Sequence, residues 1–313
     1  MKKGFATVAQ LAEFDEVIDV RSPAEFEEDR IPGAINCPVL DNAQRATIGT
    51  IYKQRSAFEA RRLGAAMVAE NIARHLMARF QDKPREWRPL VYCWRGGQRS
   101  GSFVTWLRLI GWDACQLEGG YKNWRRKVVE ALTELPLRHD FRVVCGATGS
   151  AKTRVLEALA ALGAQVIDLE DLAAHKGSVL GALPGRPQPT QKWFETQLHA
   201  ALSRIDPARP VFIEAESRKI GRIHLPEALI TRMRASRCVA IEATREARLE
   251  FLVRDYAYLG DDVPALQARI DNLKGLQSNE TLDRWKGLAA ARKLPELFAE
   301  FIDLHYDPLY QRS

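Results

Sequence analysis

The sequence lacks any apolar run close to the ~18 residues that a membrane-spanning helix requires, so it predicts no transmembrane segment and no membrane partner. The basic opening Met1-Lys2-Lys3 is followed by Asp15, Glu16 and Asp19 before an apolar signal region could form. We therefore expect no secretory signal and a cytoplasmic location. Internal repeats and low-complexity tracts are lacking as well, which excludes a repeat array and a long disordered segment.

Cysteine is sparse: the chain has five, scattered, with no C-x-x-C pair and no closely spaced histidines. An odd number of scattered cysteines argues against a disulfide framework, and the missing ligand spacing argues against a zinc site. Acidic residues are outnumbered, 40 against 46 basic ones, which leaves a net charge of +6. This surplus favours a polyanionic partner, because guanidinium groups pair well with phosphates.

The 313 residues suffice for two domains, and strands that alternate with helices predict an α/β protein with parallel sheets. A proline-bearing connector at residues 133–137 divides a first domain, 1–135, from a second, 136–313. Strand patterns end near Arg245, so we expect a helical C-terminal region over about 245–313.

One cysteine stands in an unusually polar, glycine-rich loop, in the segment Val-Tyr-Cys-Trp-Arg-Gly-Gly-Gln-Arg-Ser at 91–100. The apolar run before it predicts a strand, and the apolar spacing after Ser100 predicts a helix. Unpaired N–H groups at the helix start and the charges of Arg95 and Arg99 favour the thiolate of Cys93. The loop therefore predicts a nucleophile within an anion-binding site, with Arg95 and Arg99 in catalytic roles.

The first half resembles a rhodanese domain in four ordered motifs, at 19–26, 30–36, 91–100 and 117–124. The resemblance implies that Cys93 accepts a chalcogen and passes it on as a persulfide or its selenium equivalent. An alternative stays open, because the C-x5-R spacing of Cys93 and Arg99 also occurs in phosphatase loops. Tyr92 stands where that pattern usually has histidine, so we interpret Arg99 as binding the phosphate part of a donor.

The second half contains Gly-Ala-Thr-Gly-Ser-Ala-Lys-Thr at 146–153, after a predicted strand and before a predicted helix. This context is typical of a P-loop, in which Lys152 reaches the terminal phosphate oxygens and Thr153 can bind Mg²⁺. The predicted phosphate-binding residues are Gly146, Thr148, Gly149, Ser150, Lys152 and Thr153. Ala151 replaces the usual glycine, so phosphate binding is a firmer expectation than nucleotide hydrolysis.

Three acidic residues follow predicted strands of the second domain. Asp168 ends one strand, and Glu214 and Glu216 lie at the end of another. Acidic residues at strand ends in an open α/β sheet line the ligand crevice, so these are candidate acids. Each could instead cap a helix or face solvent.

Segments in both halves of the chain resemble one particular family. They are 92–97, 146–153, 168–178, 188–195 and 216–221, with 47–54 as an insertion. In these segments the chain resembles the tRNA 2-selenouridine synthases, from about residue 15 to about 255.

That resemblance implies action on the wobble uridine of tRNA. Sulfur in 2-thiouridine is replaced by selenium from selenophosphate, through an S-geranyl intermediate made from geranyl diphosphate. Cys93 would be essential to selenation. No tightly bound cofactor is implied, Mg²⁺ could assist the phosphate site, and a selenophosphate-producing synthetase could be a partner.

If the resemblance holds, two further sets of residues are candidates for contacting the prenyl donor and the tRNA. Trp193, Phe194 and Phe212 could form an apolar wall for a prenyl chain, although they could also be core residues. The arginines that could meet tRNA phosphates are Arg218, Arg222, Arg245, Arg248 and Arg254.

Two other functions remain open at this point. One is a rhodanese-type sulfurtransferase fused to an ATP-dependent kinase, which would turn over ATP without tRNA. The other is a non-catalytic tRNA-binding or sulfur-carrier module.

Overall fold

The computed structural model describes residues 4–311, so Met1, Lys2 and Lys3 of the signal-peptide argument lie outside the described residues. The described chain divides into two compact units. One runs as far as Ala131 and includes Glu195–Ala200, and the other comprises Leu132–Phe194 and the residues from Ala201 onward. Both units are α/β with parallel sheets, as the sequence predicts.

The first unit is built on a five-stranded parallel sheet in the order β1-β5-β4-β2-β3. Its strands are β1 (Phe5–Ala6), β2 (Glu16–Asp19), β3 (Ile35–Asn36), β4 (Pro89–Tyr92) and β5 (Cys115–Leu117). The central strand β4 is buried along its whole length. Its carboxyl end therefore delivers the next residue, Cys93, to the edge where parallel sheets bind ligands.

Five helices accompany this sheet. They are α1 (Pro23–Glu28), α2 (Asn42–Gln54), α3 (Ala57–Arg79), α4 (Gln98–Ile110) and α5 (Gly120–Glu134), with a 3-10 turn at Val8–Glu13. Side chains of Asp41 and Ser56 accept backbone N–H groups at the starts of α2 and α3, as N-caps do. The core packs Ile18 and Val91 of the sheet against Phe103 and Leu107 of α4.

The second unit has a four-stranded parallel sheet in the order β11-β6-β8-β7 and a separate two-stranded hairpin. Its strands are β6 (Phe141–Cys145), β7 (Gln165–Ile167), β8 (Val211–Glu214), β9 (Lys219–Ile220), β10 (Ile223–His224) and β11 (Arg237–Ala240). The strands β6, β7 and β8 lead into the phosphate loop and the predicted acidic residues.

The remaining helices lie between these strands and then form the C-terminal region. They are α6 (Lys152–Ala161), α7 (Leu169–Ala173), α8 (Gln191–Arg204), α9 (Glu227–Arg234), α10 (Arg245–Asp255), α11 (Val263–Asp271), α12 (Asn279–Ala290), α13 (Leu294–Phe301) and α14 (Asp307–Tyr310). Helical turns at Ala257–Gly260 and Ile302–Tyr306 connect them. In the C-terminal region Trp285 stacks on Phe301, with ring centroids 4.3 Å apart. This cluster gives the C-terminal helices an apolar core of their own.

The connector that the sequence places at 133–137 is not an extended linker. Helix α5 continues to Glu134, and a 3-10 turn at Leu135–Arg138 follows it directly. Pro136 is tolerated because it lies within the first residues of that turn, where its missing N–H has no partner to lose.

The sequence argues against a disulfide framework, but one pair of cysteines is bonded. Cys145 and Cys238 are bonded, with their Cα atoms 6.1 Å apart. They lie on the neighbouring parallel strands β6 and β11, which the fold brings together from positions 93 residues apart. Spacing along the chain contains no signal for such a pair. Across residues 4–311, none of the helices has the length and apolar character needed to span a bilayer.

Candidate functional site

Cys93 follows β4 directly, and its thiol lies at the N-terminal end of α4. Gly97 donates its backbone N–H to Cys93 Sγ at 3.3 Å, and Ser100 donates its hydroxyl to the same sulfur at 3.1 Å. Burial by itself would raise the pKa of this thiol. Hydrogen bonds from Ser100 and Gly97 and the charge of Arg99 outweigh burial, so the pKa lies below its usual value. The arrangement suits a thiolate nucleophile.

Gln116 on β5 orients the hydroxyl of Ser100. Its Nε2 donates to Ser100 Oγ at 2.9 Å and to the carbonyl of Gly97 at 3.0 Å. The carbonyl of Gly97 thus has a donor of its own, which leaves the hydroxyl hydrogen of Ser100 for the sulfur. The sequence carries no signal for Gln116, because its place beside Ser100 depends on how β5 pairs with β4.

The turn between β5 and α5 closes over the cysteine loop. Tyr121 and Lys122 donate their backbone N–H groups to the carbonyls of Cys93 and Trp94, at 2.9 and 3.0 Å. Gly120 has φ +57, and a Cβ there would lie 2.2 Å from the carbonyl oxygen of Cys93. Only glycine fits this approach, which explains why the motif at 117–124 contains it.

The two arginines of the loop have different surroundings. Arg99 donates Nη1 to Glu25 Oε2 at 2.8 Å. Burial of Glu25 acts to raise its pKa, but the hydrogen bond and charge of Arg99 lower it overall. Arg95 is exposed on the loop. Catalytic roles for both residues, and phosphate binding by Arg99, stay predictions.

The phosphate loop at 146–153 joins β6 to α6, in the strand-loop-helix order that the sequence predicts. Lys152 is the first residue of α6 and donates its Nζ to the carbonyl of Gly146 at 3.0 Å. This contact folds the lysine over the loop, where its charge can meet a phosphate group. Ser150 is buried, with a hydroxyl that has no protein partner.

Ala151 adopts the left-handed conformation that the usual glycine would take, with φ 60° and ψ 32°. Glycine adopts this conformation without steric cost, which suits the residue that usually stands at this position. An alanine in this region costs roughly 1–2 kcal/mol in steric strain.

Two carboxylates meet beside Lys152 and Thr153. Glu170 Oε2 accepts a hydrogen bond from Thr153 Oγ1 at 3.1 Å. A Cβ on Gly177, which has φ +65, would lie 2.6 Å from Glu170 Oε1 and 2.8 Å from Glu216 Oε1, so both carboxylates crowd the same glycine. Burial and the charge of Glu170 raise the pKa of Glu216 to about 8. The pair therefore holds a proton near neutral pH.

The other two predicted acidic residues, Asp168 and Glu214, accept backbone N–H groups in the segment that contains Glu170. Glu214 is almost fully buried and accepts the backbone N–H of Glu170 at 2.9 Å. Burial, followed by the charge of Asp168, raises the pKa of Glu214 well above its usual value. Asp168 accepts the N–H of Asp171 at 2.7 Å and so caps α7. Of the three acidic residues that the sequence predicts, only Glu216 lines the cavity next to the phosphate loop. Glu170 also lines this cavity, but the sequence analysis did not predict it.

The oxygen atoms in this corner fit Mg²⁺, which prefers carboxylate, hydroxyl and phosphate ligands. The protein would contribute the Thr153 hydroxyl and the carboxylates of Glu170 and Glu216. No group of three or more His, Cys, Asp or Glu in residues 4–311 is arranged to hold a metal ion. The other ligands of Mg²⁺ at such a site would be phosphate oxygens and water.

The phosphate loop opens into a cavity of ≈ 690 Å³. Besides the loop and the two carboxylates, its wall has a group of apolar and aromatic side chains, most of them from the C-terminal helices. It has a similar number of charged and polar side chains, among them Arg154, Arg218 and Arg234. The apolar and aromatic wall residues are Val179, Phe251, Leu252, Tyr256, Tyr306, Leu309 and Tyr310. The candidates Trp193, Phe194 and Phe212 do not line this cavity, and the core role that the sequence also allows fits Phe194. Phe194 is fully buried in the core, because α8 turns that face inward.

Most of the arginines predicted to bind tRNA form hydrogen bonds with other residues of the second unit. Arg218 forms two hydrogen bonds with Glu227, at 2.6 and 3.0 Å. Arg245 forms two with Asp303, at 2.8 and 2.6 Å. Arg222 donates to the carbonyl of Gln188.

Arg248 is buried and connects the phosphate loop to the C-terminal helices. Its Nε donates to the carbonyl of Thr148 at 2.9 Å, and its Nη1 donates to Asp307 at 3.1 Å. This position gives Arg248 a role in shaping the loop. Contact with tRNA stays a prediction for these four arginines and for Arg254.

Comparison with known proteins covers both units. Residues 6–127 match the family model of the rhodanese-like domain, and residues 139–293 match the model of the tRNA 2-selenouridine synthase AAA domain. The chain is also similar over most of its length to proteins named tRNA 2-selenouridine synthase. The one from Nitrosomonas europaea is 31% identical over 88% of this chain and 75% of its own length.

Two more relatives with that name cover even more of the chain. The protein of Alcanivorax borkumensis is 34% identical over 94% of this chain and 88% of its own length. The protein of Shewanella halifaxensis is 30% identical over 94% of this chain and 87% of its own length. Fold and sites together define a rhodanese-like domain joined to a P-loop domain of the AAA type. With relatives of this identity and coverage, the chain belongs to the tRNA 2-selenouridine synthase family.

Proposed function

We propose that this chain is a tRNA-modifying enzyme that replaces the sulfur of wobble 2-thiouridine with selenium. The proposal includes an S-geranyl intermediate, with geranyl diphosphate and selenophosphate as co-substrates. The phosphate-loop cavity would carry out prenyl transfer, and the Cys93 loop would carry out selenium transfer. A selenophosphate-producing synthetase is the proposed source of the second co-substrate.

The observation that carries the proposal is a phosphate loop that opens into a cavity with a group of apolar and aromatic side chains on part of its wall. A prenyl diphosphate has a charged head and an apolar tail, and the cavity offers matching surfaces. Lys152 and the loop N–H groups face the diphosphate, while residues such as Phe251 and Leu309 supply apolar contacts. Mg²⁺, if bound at Thr153 and the carboxylates, would neutralise charge on the departing diphosphate.

In the prenyl-transfer step the sulfur of 2-thiouridine attacks C1 of the geranyl group. The carbon–oxygen bond to diphosphate breaks, and N3 of the base loses its proton. The Glu170–Glu216 pair lies in the same cavity and can accept that proton when it is ionised. Lys152 stabilises the diphosphate as its charge grows.

Selenium transfer replaces the prenylated sulfur. A geranyl thiol is a better leaving group than the sulfur of an unmodified thiocarbonyl, so the first step prepares the second. In the second step the selenium of selenophosphate attacks C2, so that the C2–Se bond forms, the C2–S bond breaks and geranyl thiol leaves with a proton. Water then cleaves the Se–P bond, phosphate is released, and N3 of the base regains a proton. The lowered pKa of Cys93 increases the fraction of thiolate that is available for handling selenium.

The test is mass spectrometry of the wobble nucleoside. 2-Thiouridine tRNA is incubated with the protein and geranyl diphosphate, and selenophosphate is then added. We expect S-geranyl-2-thiouridine first and 2-selenouridine afterwards. Absence of both products, together with brisk ATP hydrolysis in the absence of tRNA, would instead support a kinase fused to a sulfurtransferase.

A further inference from the structure

A second depression of ≈ 670 Å³ adjoins the phosphate-loop cavity in the same unit. The two share Arg154, Lys176, Phe251 and Asp255 in their walls, so the spaces are continuous. We call this depression the basic groove; its charged and aromatic wall residues are Arg154, Lys176, Arg186, Phe251, Arg254, Asp255 and Tyr258. No step proposed above uses it.

The basic groove has a surplus of positive charge. Its one carboxylate, Asp255, is already paired with Lys176 at 2.5 Å and Arg154 at 3.2 Å. Arg186 pairs with Asp171 at 2.8 Å, but both side chains are more than half exposed, so that ion pair is weak.

Arg254 differs from the other cations of the basic groove because it has no acidic partner in the described chain. It is exposed, and within the described chain no carboxylate lies at ion-pair distance from its guanidinium group. The group lies over the ring of Phe251, 5.8 Å from the centroid. Of the five arginines predicted to meet tRNA phosphates, Arg254 is the one that forms no hydrogen bond or ion pair with another residue in the range 4–311.

Aromatic rings alternate with these charges. Phe251 and Tyr258 are only half-buried and line the groove. Lys176 Nζ lies 5.2 Å from the centre of the Tyr258 ring, and Tyr258 stacks on Tyr256 at 6.0 Å, which holds its orientation. Positive charge interleaved with exposed rings is the pattern that binds single-stranded nucleic acid, since phosphates meet the cations and bases stack on the rings.

We propose that the basic groove binds a single-stranded RNA segment that leads into the phosphate-loop cavity. Phosphates of the segment pair with Arg186 and Arg254, and a base next to the reacting one stacks on Tyr258. Only the placement of the reacting uridine in the cavity rests on the proposed function. The RNA contacts themselves stand on the charge and shape of the groove.

The experiment measures binding of a fluorescently labelled anticodon stem-loop containing 2-thiouridine, by anisotropy over a range of salt concentrations. Arg186→Ala and Arg254→Ala should each weaken binding several-fold and make the slope of log K against log salt shallower by ~0.7. Tyr258→Leu keeps apolar bulk but removes the flat ring, and should weaken binding about tenfold without changing the slope. Arg204→Ala is the matched control, an exposed arginine on α8 that does not line the groove.

Several outcomes would overturn the proposal. One is groove variants that bind the stem-loop as tightly as the Arg204→Ala control. Another is a fully paired RNA duplex that displaces the labelled stem-loop as well as unlabelled stem-loop does. A third is a set of groove variants that bind ATP more weakly but bind the stem-loop unchanged. If RNA binding depends on the groove but no geranylated product forms, the groove proposal stands and the proposed function fails.

Discussion

Replacing Ser100 by alanine tests whether its hydroxyl stabilises the thiolate of Cys93. The hydroxyl is one of two groups that donate to Cys93 Sγ, at 3.1 Å, and Gly97 N–H is the other, at 3.3 Å. A hydrogen bond to a charged group contributes ~1.5–3 kcal/mol, and one pKa unit corresponds to ~1.4 kcal/mol. We take the lower end, because the hydroxyl also lies 3.3 Å from the carbonyl of Gly97. The pKa of Cys93 should therefore rise by about one unit.

The assay is the rate of alkylation by iodoacetamide as a function of pH, followed on the Cys93 peptide by mass spectrometry. Below the pKa, the rate at a fixed pH should fall about tenfold in Ser100→Ala. Cys37 provides an internal reference, since burial raises its pKa to about 12. Ser102→Ala, two residues further along α4, is the matched control. An unchanged alkylation profile in Ser100→Ala would refute the reasoning.

Two further predictions concern the phosphate-loop unit. Ala151→Gly should raise the free energy of unfolding by up to about 1 kcal/mol, because relief of left-handed strain exceeds the added entropy of the unfolded chain. Urea denaturation measures this change. Glu216 has a pKa of about 8 in the folded protein, above its unfolded value, so the folded state binds the extra proton. Stability should then fall as pH rises from about 5 to 8, and Glu216→Gln should flatten that dependence.

Each of these predictions has its own control and its own contrary result. Ala158→Gly, in the exposed interior of α6, should lower stability by ~0.5–1 kcal/mol. If Ala151→Gly lowered it by a similar amount, the left-handed conformation would not be a source of strain. For the carboxylate pair, urea midpoints at pH 5.5 and 7.5 that shift equally in wild type and Glu216→Gln would show that Glu216 does not hold the proton.

The sequence predicts features that depend on neighbours along the chain. The Cys93 loop and the 146–153 loop both lie between a strand and a helix, and local apolar patterns are enough to place them. Arg245 also marks the point where strands end in the described chain.

What the sequence misses depends on contacts between distant segments. Gln116 reaches Ser100 only because β5 pairs with β4. Glu170 joins Glu216 because two different strands end at the same edge of the sheet, and nothing in either segment specifies that meeting.

The apolar wall shows the same limit. Phe251 and Leu309 belong to C-terminal helices whose sequence shows only helical periodicity. Such periodicity marks a buried face but not what that face covers. The bond between Cys145 and Cys238 likewise depends on strand order, which composition and spacing do not reveal.

The central claim is that prenyl transfer depends on the phosphate loop and selenium transfer on Cys93. The most direct measurement is mass spectrometry of wobble nucleosides after 2-thiouridine tRNA is treated with geranyl diphosphate and selenophosphate. Cys93→Ala should accumulate the S-geranyl nucleoside without 2-selenouridine. Lys152→Ala should form neither, yet should selenate tRNA that is already geranylated. Equal loss of both steps in Cys93→Ala would contradict the account.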